Sequence, residues 1–165
     1  MTVQEFFDNT IVTKEAIQRS VLEFLVGRTD TIICGAWAVN LYCPDAERQT
    51  VDIDIIVKQI DVFAPLLIKH LESQFSERFT LADFAVWHKG RRVVDLCVPT
   101  IDGHFRWEPP EIVNKIQVVE ITQLLRMKAI AAVDRKGTAK GMLDLADILL
   151  LLAALRRQQK IGSFE

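Results

Sequence analysis

The stretch Thr50-Val-Asp-Ile-Asp-Ile-Ile-Val57 decides how this 165-residue chain is read. It is dense in β-branched residues, and its composition predicts a strand over 50–57. Side chains alternate across a strand, so Thr50, Asp52 and Asp54 share one face while Val51, Ile53 and Ile55 take the other. Two carboxylates about 6 Å apart repel by roughly 3 kcal/mol at an effective dielectric of about 20. A strand has no structural reason to carry that repulsion, and a divalent cation removes it. Asp-x-Asp alone also fits a solvated acidic strand face, so the surrounding sequence has to separate the two readings.

Upstream, Thr31-Ile-Ile-Cys34 is a short buried strand broken by Gly35. Helical character resumes from Ala36 to Tyr42 and stops at Pro44. A strand, a glycine turn and a helix N-terminus together present backbone N–H groups to a phosphate. Further upstream, apolar residues at helical spacing predict a first helix from Thr13 to Arg28. Downstream, a helix runs to about Phe75 with Asp61 as its N-cap and Pro65 in its first turn. Strands near 78–87 and 91–98 flank a Lys89-Gly90 hairpin turn. Asp95 is the carboxylate of the second of these strands, where hairpin topology can bring it beside Asp52 and Asp54. A loop over 99–110 holds Asp102-Gly103 and Pro109-Pro110. After it come a short extended piece at 116–119 and two helices, near 121–133 and 140–157. The fold class expected is α+β: a small mixed β-sheet with helices packed on it and a C-terminal helical hairpin. One domain spans 1–165, with residues 1–114 as the sheet core and 115–165 as the helical part.

Composition narrows the function. Half the residues are hydrophobic, a quarter are charged, and the formal net charge is −2. The longest apolar run, Ile148 to Leu155, is far short of the roughly 18 residues a membrane span needs. Glu5 and Asp8 in the opening MTVQEFFDNT argue against a secretory or transit leader. Cys34, Cys43 and Cys97 form no CxxC pair and suit free core thiols, so a cytoplasmic setting is expected. His70, His88 and His104 lack ligand spacing. No GxSxG, HExxH, P-loop or GxGxxG occurs. The small net charge hides an asymmetry. Residues 1–114 hold 11 Lys and Arg against 17 Asp and Glu, a balance of −6, whereas residues 115–160 hold 9 against 4, a balance of +5. An acidic body and a basic tail can face one anionic ligand. Arg91 and Arg92 read as surface charge beside the hairpin turn. Asp144 and Asp147 read as acids in the first turns of the last helix, where acids are favoured, with Asp144 in i, i+4 reach of Lys140.

Gly35 after an apolar strand, the pair Asp52 and Asp54 on the next strand, and Asp95 on a later one together resemble the nucleotidyltransferase superfamily. That is the fold of DNA polymerase β; within it, the chain is similar to the abortive-infection (AbiEii-type) toxin-like branch. The resemblance covers most of the chain, from Ile32 to about Leu151. It implies that Asp52 and Asp54 hold one or two Mg²⁺ (or Mn²⁺), the second shared with Asp95, and that Asp95 accepts the proton of the attacking hydroxyl. It implies phosphate contacts from Gly35, Ala36, Arg48, Lys128, Arg135 and Lys140, with Thr50 helping to orient the site. The reaction implied moves a nucleoside monophosphate from an NTP to an acceptor hydroxyl on an RNA end, a protein or a small molecule, in a toxin-like context. Two positions depart from the pattern: Ala36 replaces a Gly or Ser, and Gly141 stands where an acid often follows the lysine. They motivate a second reading, a nucleotide-binding or partner-binding module of the same fold with little catalysis. The last helix, apolar nearly all round over 148–155, is expected to meet a second copy or another protein.

Overall fold

The computed structural model describes residues 12–99 and 106–162. Helix α1 (Lys14–Leu25) starts where the Thr13 hydroxyl accepts the Ala16 amide at 3.1 Å, and it buries Ile17, Val21 and Leu25. Strand β1 (Thr31–Cys34) is buried at every position and runs directly into α2 (Gly35–Tyr42). A 3₁₀ turn, Pro44–Ala46, leads towards β2 (Ile53–Val57). Helix α3 (Ile60–Phe75) is followed by β3 (Thr80–Ala82), β4 (Ala85–His88) and β5 (Arg91–Cys97). Strands β6 (Glu111–Val113) and β7 (Ile116–Val118) precede the helical pair α4 (Ile121–Asp134) and α5 (Ala139–Gly162). No described helix is long and apolar enough to cross a membrane.

The strands form one mixed seven-stranded sheet in the order β3-β4-β5-β2-β1-β7-β6. Strands β2 and β5 are parallel, as are β1 and β7, and the remaining pairs are antiparallel. The α+β class, the mixed sheet and the C-terminal helical hairpin expected from sequence are all present. Ile53, Ile55, Val57 and Val94 are wholly buried, which pins the central register. A one-residue slip of β2 would drive its acids into that core.

Several boundaries differ from expectation. Strand β2 begins at Ile53, because Thr50 is held by α1: its hydroxyl and carbonyl both accept from Gln18 Nε2 at 3.1 Å. Gln59, not Asp61, caps α3, and Pro65 lies in the second turn. Pro65 faces solvent, so water can satisfy the carbonyl its missing N–H leaves open. The segment 78–87 is two strands, reversed at Asp83 and Phe84, both with positive φ. Asn114 and Lys115 make the same kind of turn between β6 and β7, turning the extended piece expected at 116–119 into a hairpin. Asp102-Gly103 lies outside the described residues.

Candidate active site

The sheet centre brings the three acids together. Asp54 sits opposite Cys34 of β1 on one side and opposite Asp95 of β5 on the other. Asp52 immediately precedes β2, two residues from Asp54 and on the same face. One oxygen from each of Asp52, Asp54 and Asp95 lies within 4.8 Å of the others, and each residue is half-buried. Among the described residues this is the one cluster of His, Cys, Asp and Glu close enough to hold a metal ion.

The electrostatics of the cluster call for positive charge. Burial, then the charges of Asp52 and Asp95, push the Asp54 carboxyl up to about 7, although Lys128 and Lys140 pull it down. Burial and Asp95 also raise Asp52, against opposing pulls from Arg92 and Lys140. Hard carboxylate oxygens on a rigid sheet, held close against their own repulsion, fit a divalent cation such as Mg²⁺ or Mn²⁺.

Gly35 closes one side of the cluster. Its φ is +66°, and a Cβ there would stand 2.1 Å from Asp54 Oδ2. A glycine is needed both for the left-handed backbone and for the space the carboxylate fills. Ala36 follows in the first turn of α2 and is half-buried.

The cations named from sequence fall into two groups. Arg48, Lys128 and Arg135 are engaged by two acids of α5. Arg48 grips Asp147 with both arms of its guanidinium, Nε to Oδ1 at 3.2 Å and Nη2 to Oδ2 at 2.9 Å. Buried Lys128 places Nζ 2.8 Å from Asp147 Oδ2 and 3.3 Å from Asp144 Oδ1. Arg135 Nε lies 3.2 Å from Asp144 Oδ2, close enough for ion pairing but without hydrogen-bond alignment. Asp144 therefore turns to Lys128 and Arg135 and not to Lys140. Burial pushes the Asp147 carboxyl up, but the hydrogen bonds from Arg48 and Lys128 outweigh it and hold the group below the usual carboxylate range. Lys140 is different: it is exposed, close enough to favour the ionised forms of Asp52 and Asp54, and has no ion-pair partner among the described residues. Gly141, where an acid was expected, is buried against the turn between α4 and α5. A Cβ there would stand 2.2 Å from the Arg135 carbonyl oxygen, so no larger residue fits.

Two residues of the site were missed or misread in the sequence. Arg92 is not plain surface charge, since its Nη1 lies 3.0 Å from Asp95 Oδ2 and its guanidinium stacks 5.4 Å over the Trp87 ring. Strand alternation puts residues three apart on opposite faces, so spacing gave no signal for that pair. Asp147 looked like an acid favoured by a helix dipole but is the hub of the ionic network. His88 bonds Glu77, and His70 lies 3.0 Å from the Ser20 hydroxyl; His104 lies outside the described residues. All three cysteines are free, Cys34 and Cys43 in the core and Cys97 partly covered.

No protein-family model and no curated protein sequence matches the chain. Solved structures do. An antigenic nucleotidyltransferase-like protein from Paracoccidioides brasiliensis is 19% identical over 85% of this chain and 75% of its own, with a TM-score of 0.53. The Megavirus polyadenylate synthase is 16% identical with a TM-score of 0.61, over 85% of this chain but only 34% of the larger synthase. ANT(2″)-Ia, solved in complex with adenylyl-2″-tobramycin, is 12% identical with a TM-score of 0.53, over 92% of this chain and 91% of its own. At these identities the likeness is one of fold, and the fold is that of the nucleotidyltransferases.

Proposed function

We propose that the chain is a divalent-metal-dependent nucleotidyltransferase that moves a nucleoside monophosphate from an NTP to an acceptor hydroxyl. The observation that carries this reading is the convergence of Asp52, Asp54 and Asp95 against the Gly35-Ala36 turn. Asp52 and Asp54 would hold Mg²⁺ or Mn²⁺, with Asp95 sharing a second ion; when bound, the metal neutralises triphosphate charge and acidifies the attacking hydroxyl. In the reaction the acceptor oxygen forms a bond to the α-phosphorus, the bond from that phosphorus to the β-bridging oxygen breaks, and pyrophosphate leaves. Asp95 takes the hydroxyl proton. The backbone at Gly35 and Ala36 receives phosphate oxygens, and Lys140 is the free cation for the β- and γ-phosphates. Arg48, Lys128 and Arg135 are already paired with Asp144 and Asp147, so any phosphate reaching them competes with those acids. Thr50 acts through its bond to Gln18, fixing the chain just ahead of Asp52.

A formal net charge of −2 works against a long polyanion, which favours a small acceptor or one gripped locally. The test incubates purified protein and Mg²⁺ with each labelled NTP and an RNA end, the protein itself or tobramycin as acceptor. Transfer lost in Asp52→Ala and Asp54→Ala supports the proposal. No transfer to any acceptor, with Mg²⁺-dependent NTP binding unchanged by Asp52→Ala, defeats it. The toxin-like role is tested separately: induced expression should arrest growth, and Asp54→Ala should relieve the arrest.

A further inference from the structure

The face of the sheet that carries the acids continues past Asp95. In-line transfer puts the attacking oxygen and the leaving pyrophosphate on opposite sides of the phosphorus. Strands β1 and β5 flank β2, so with the triphosphate received at Gly35, at the end of β1, an acceptor reaches Asp95 from the other side, over β5, β4 and β3. That side is open, because β3 is the edge strand and is exposed at every position. Asp95 pairs with Ala85, Ala85 with Ala82, and Trp87 with Thr80, so alternation places Thr80, Ala82, Ala85 and Trp87 on the acid face. Arg92 joins them only through a β-bulge. Val86 pairs with Val94 but Trp87 pairs with Arg92, so Val93 is the extra residue and Arg92 is turned to the face of Asp95.

Arg92 is the one charged side chain on this shelf beyond Asp95, and it is held in place without being used up. Its Nη1 donates to Asp95 Oδ2 at 3.0 Å, and its guanidinium lies 5.4 Å over the Trp87 ring. The ring is fixed in turn, since its indole N–H donates to the Ala82 carbonyl at 2.9 Å. A guanidinium carries several N–H donors, Asp95 takes one of them, and the side chain is 43% exposed. The other donors are therefore offered in a fixed plane beside the acid that receives the acceptor's proton, an arrangement suited to the oxygens of a phosphate. Past Trp87 and Thr80 an open depression of about 500 Å³, walled by Arg78, Gly90 and the Lys89–Glu77 ion pair, leaves room for the rest of the acceptor. We propose that Arg92, positioned by Trp87, binds the acceptor through a phosphate next to its reacting hydroxyl. An ammonium group in the same place would meet like charge, so phosphate esters are selected over neutral and amine-bearing acceptors. The inference rests on the reading of the chain as a nucleotidyltransferase and names the acceptor chemistry of that site.

The experiment incubates the full chain with Mg²⁺, labelled NTP and two matched acceptor series, glucose phosphate against glucose and glucosamine, and the ribonucleotide dimer ApA against adenosine. In at least one series the phosphate-bearing acceptor should have the higher kcat/KM, by about 10-fold or more, and glucosamine should be the poorest acceptor of its series. The series that shows the preference tells a sugar phosphate from an RNA end. Arg92→Gln should raise the KM for the phosphate-bearing acceptor by about 10-fold, while the KM for its neutral counterpart and for NTP stay as in the parent, and Arg92→Lys should recover part of the loss. Trp87→Leu, which frees the guanidinium without removing it, should raise the same KM by about 3-fold. Calorimetric binding of ApA and of glucose phosphate to the NTP-free protein should weaken in the same variants. Equal use of phosphate-bearing and neutral acceptors, no binding of either ester, or indifference to Arg92→Gln overturns the inference, and transfer seen alongside any of these keeps the proposed activity. Arg92-dependent binding of a phosphate ester with no transfer from any NTP upholds the site and defeats the activity.

Discussion

A side chain on Gly35 would stand 2.1 Å from Oδ2 of Asp54, so the glycine of the first turn and the central acid of the cluster share one space. Gly35→Ala must therefore push the carboxylate aside as well as strain a backbone at φ +66°. Displacements of about 1 Å at a reacting centre cost roughly 100-fold in rate. We expect Gly35→Ala to lower kcat/KM by about that factor, with Mn²⁺ binding weakened in parallel. A variant of ordinary activity would mean that Asp54 is not needed in its present position.

The raised carboxyl of Asp54 makes stability depend on pH. Its folded-state value of about 7 lies well above the unfolded one, so between roughly pH 4 and 7 the native state holds a proton that the unfolded state has lost. Native protein then binds more protons, and stability falls as pH rises through that window. Asp52, raised by burial and by Asp95, adds in the same direction. In chelator, urea denaturation should show a loss on the order of 2 kcal/mol from pH 5 to pH 8. Asp54→Asn should remove most of that loss, and Mg²⁺ at pH 8 should restore stability to the parent but not to the variant.

Asp147 runs the other way. Its depressed carboxyl contributes stability that is complete above the unfolded value and is lost as pH falls through the folded one. Asp147→Ala would leave Arg48 and Lys128 facing each other with one buried partner removed, a loss of about 3 kcal/mol. Replacing the ionic pair as a whole, Arg48→Met with Asp147→Leu, should recover at least half of it. Equal destabilisation by the single and double variants would show that Asp147 matters for packing, not for charge.

These residues differ in how visible they were in the sequence, and the reasons are physical. Asp52, Asp54 and Asp95 stood out because β-strands have a period of two and an acid in a β-branched run has no packing role. Gly35 was legible from its place between an apolar strand and a helix. The hairpins at Asp83-Phe84 and Asn114-Lys115 were hidden, because left-handed turns built largely without glycine carry little signature. The ionic network was hidden by distance, since Arg48 and Asp147 are 99 residues apart and meet only after α5 folds back. The apolar run at 148–155 was plain in the sequence, but only the structure separated its buried positions, Leu151 and Ala154, from the exposed Leu149 and Leu152.

Lys140 and Lys128 make a contrast between a free cation and a spent one. Lys140 is exposed and unpaired among the described residues, so Lys140→Ala should change stability little. Losing one charge-assisted phosphate contact should raise the KM for NTP by about 10-fold or more. Lys128→Ala should instead unfold at markedly lower urea, because Asp144 and Asp147 lose a buried counter-charge. If Lys140→Ala leaves the KM unchanged, the triphosphate must reach the inner cations.

Arg92 sets up a competition for Asp95. Its guanidinium is 3.0 Å from Asp95 Oδ2 and lies over Trp87, whose indole N–H is itself tied to the Ala82 carbonyl at 2.9 Å. The arginine is thus held where it supplies part of the positive charge that the three acids lack. A metal ion using Asp95 must share that carboxylate with Arg92 or displace it. Exposed pairs of this kind are worth little, so the penalty is small but measurable, about 3-fold in metal affinity. Arg92→Ala should tighten Mn²⁺ binding by that factor in a calorimetric or paramagnetic titration, and raised salt should shrink the difference between variant and parent. Weaker Mn²⁺ binding in Arg92→Ala would show that the arginine orders Asp95 for the metal instead of competing with it.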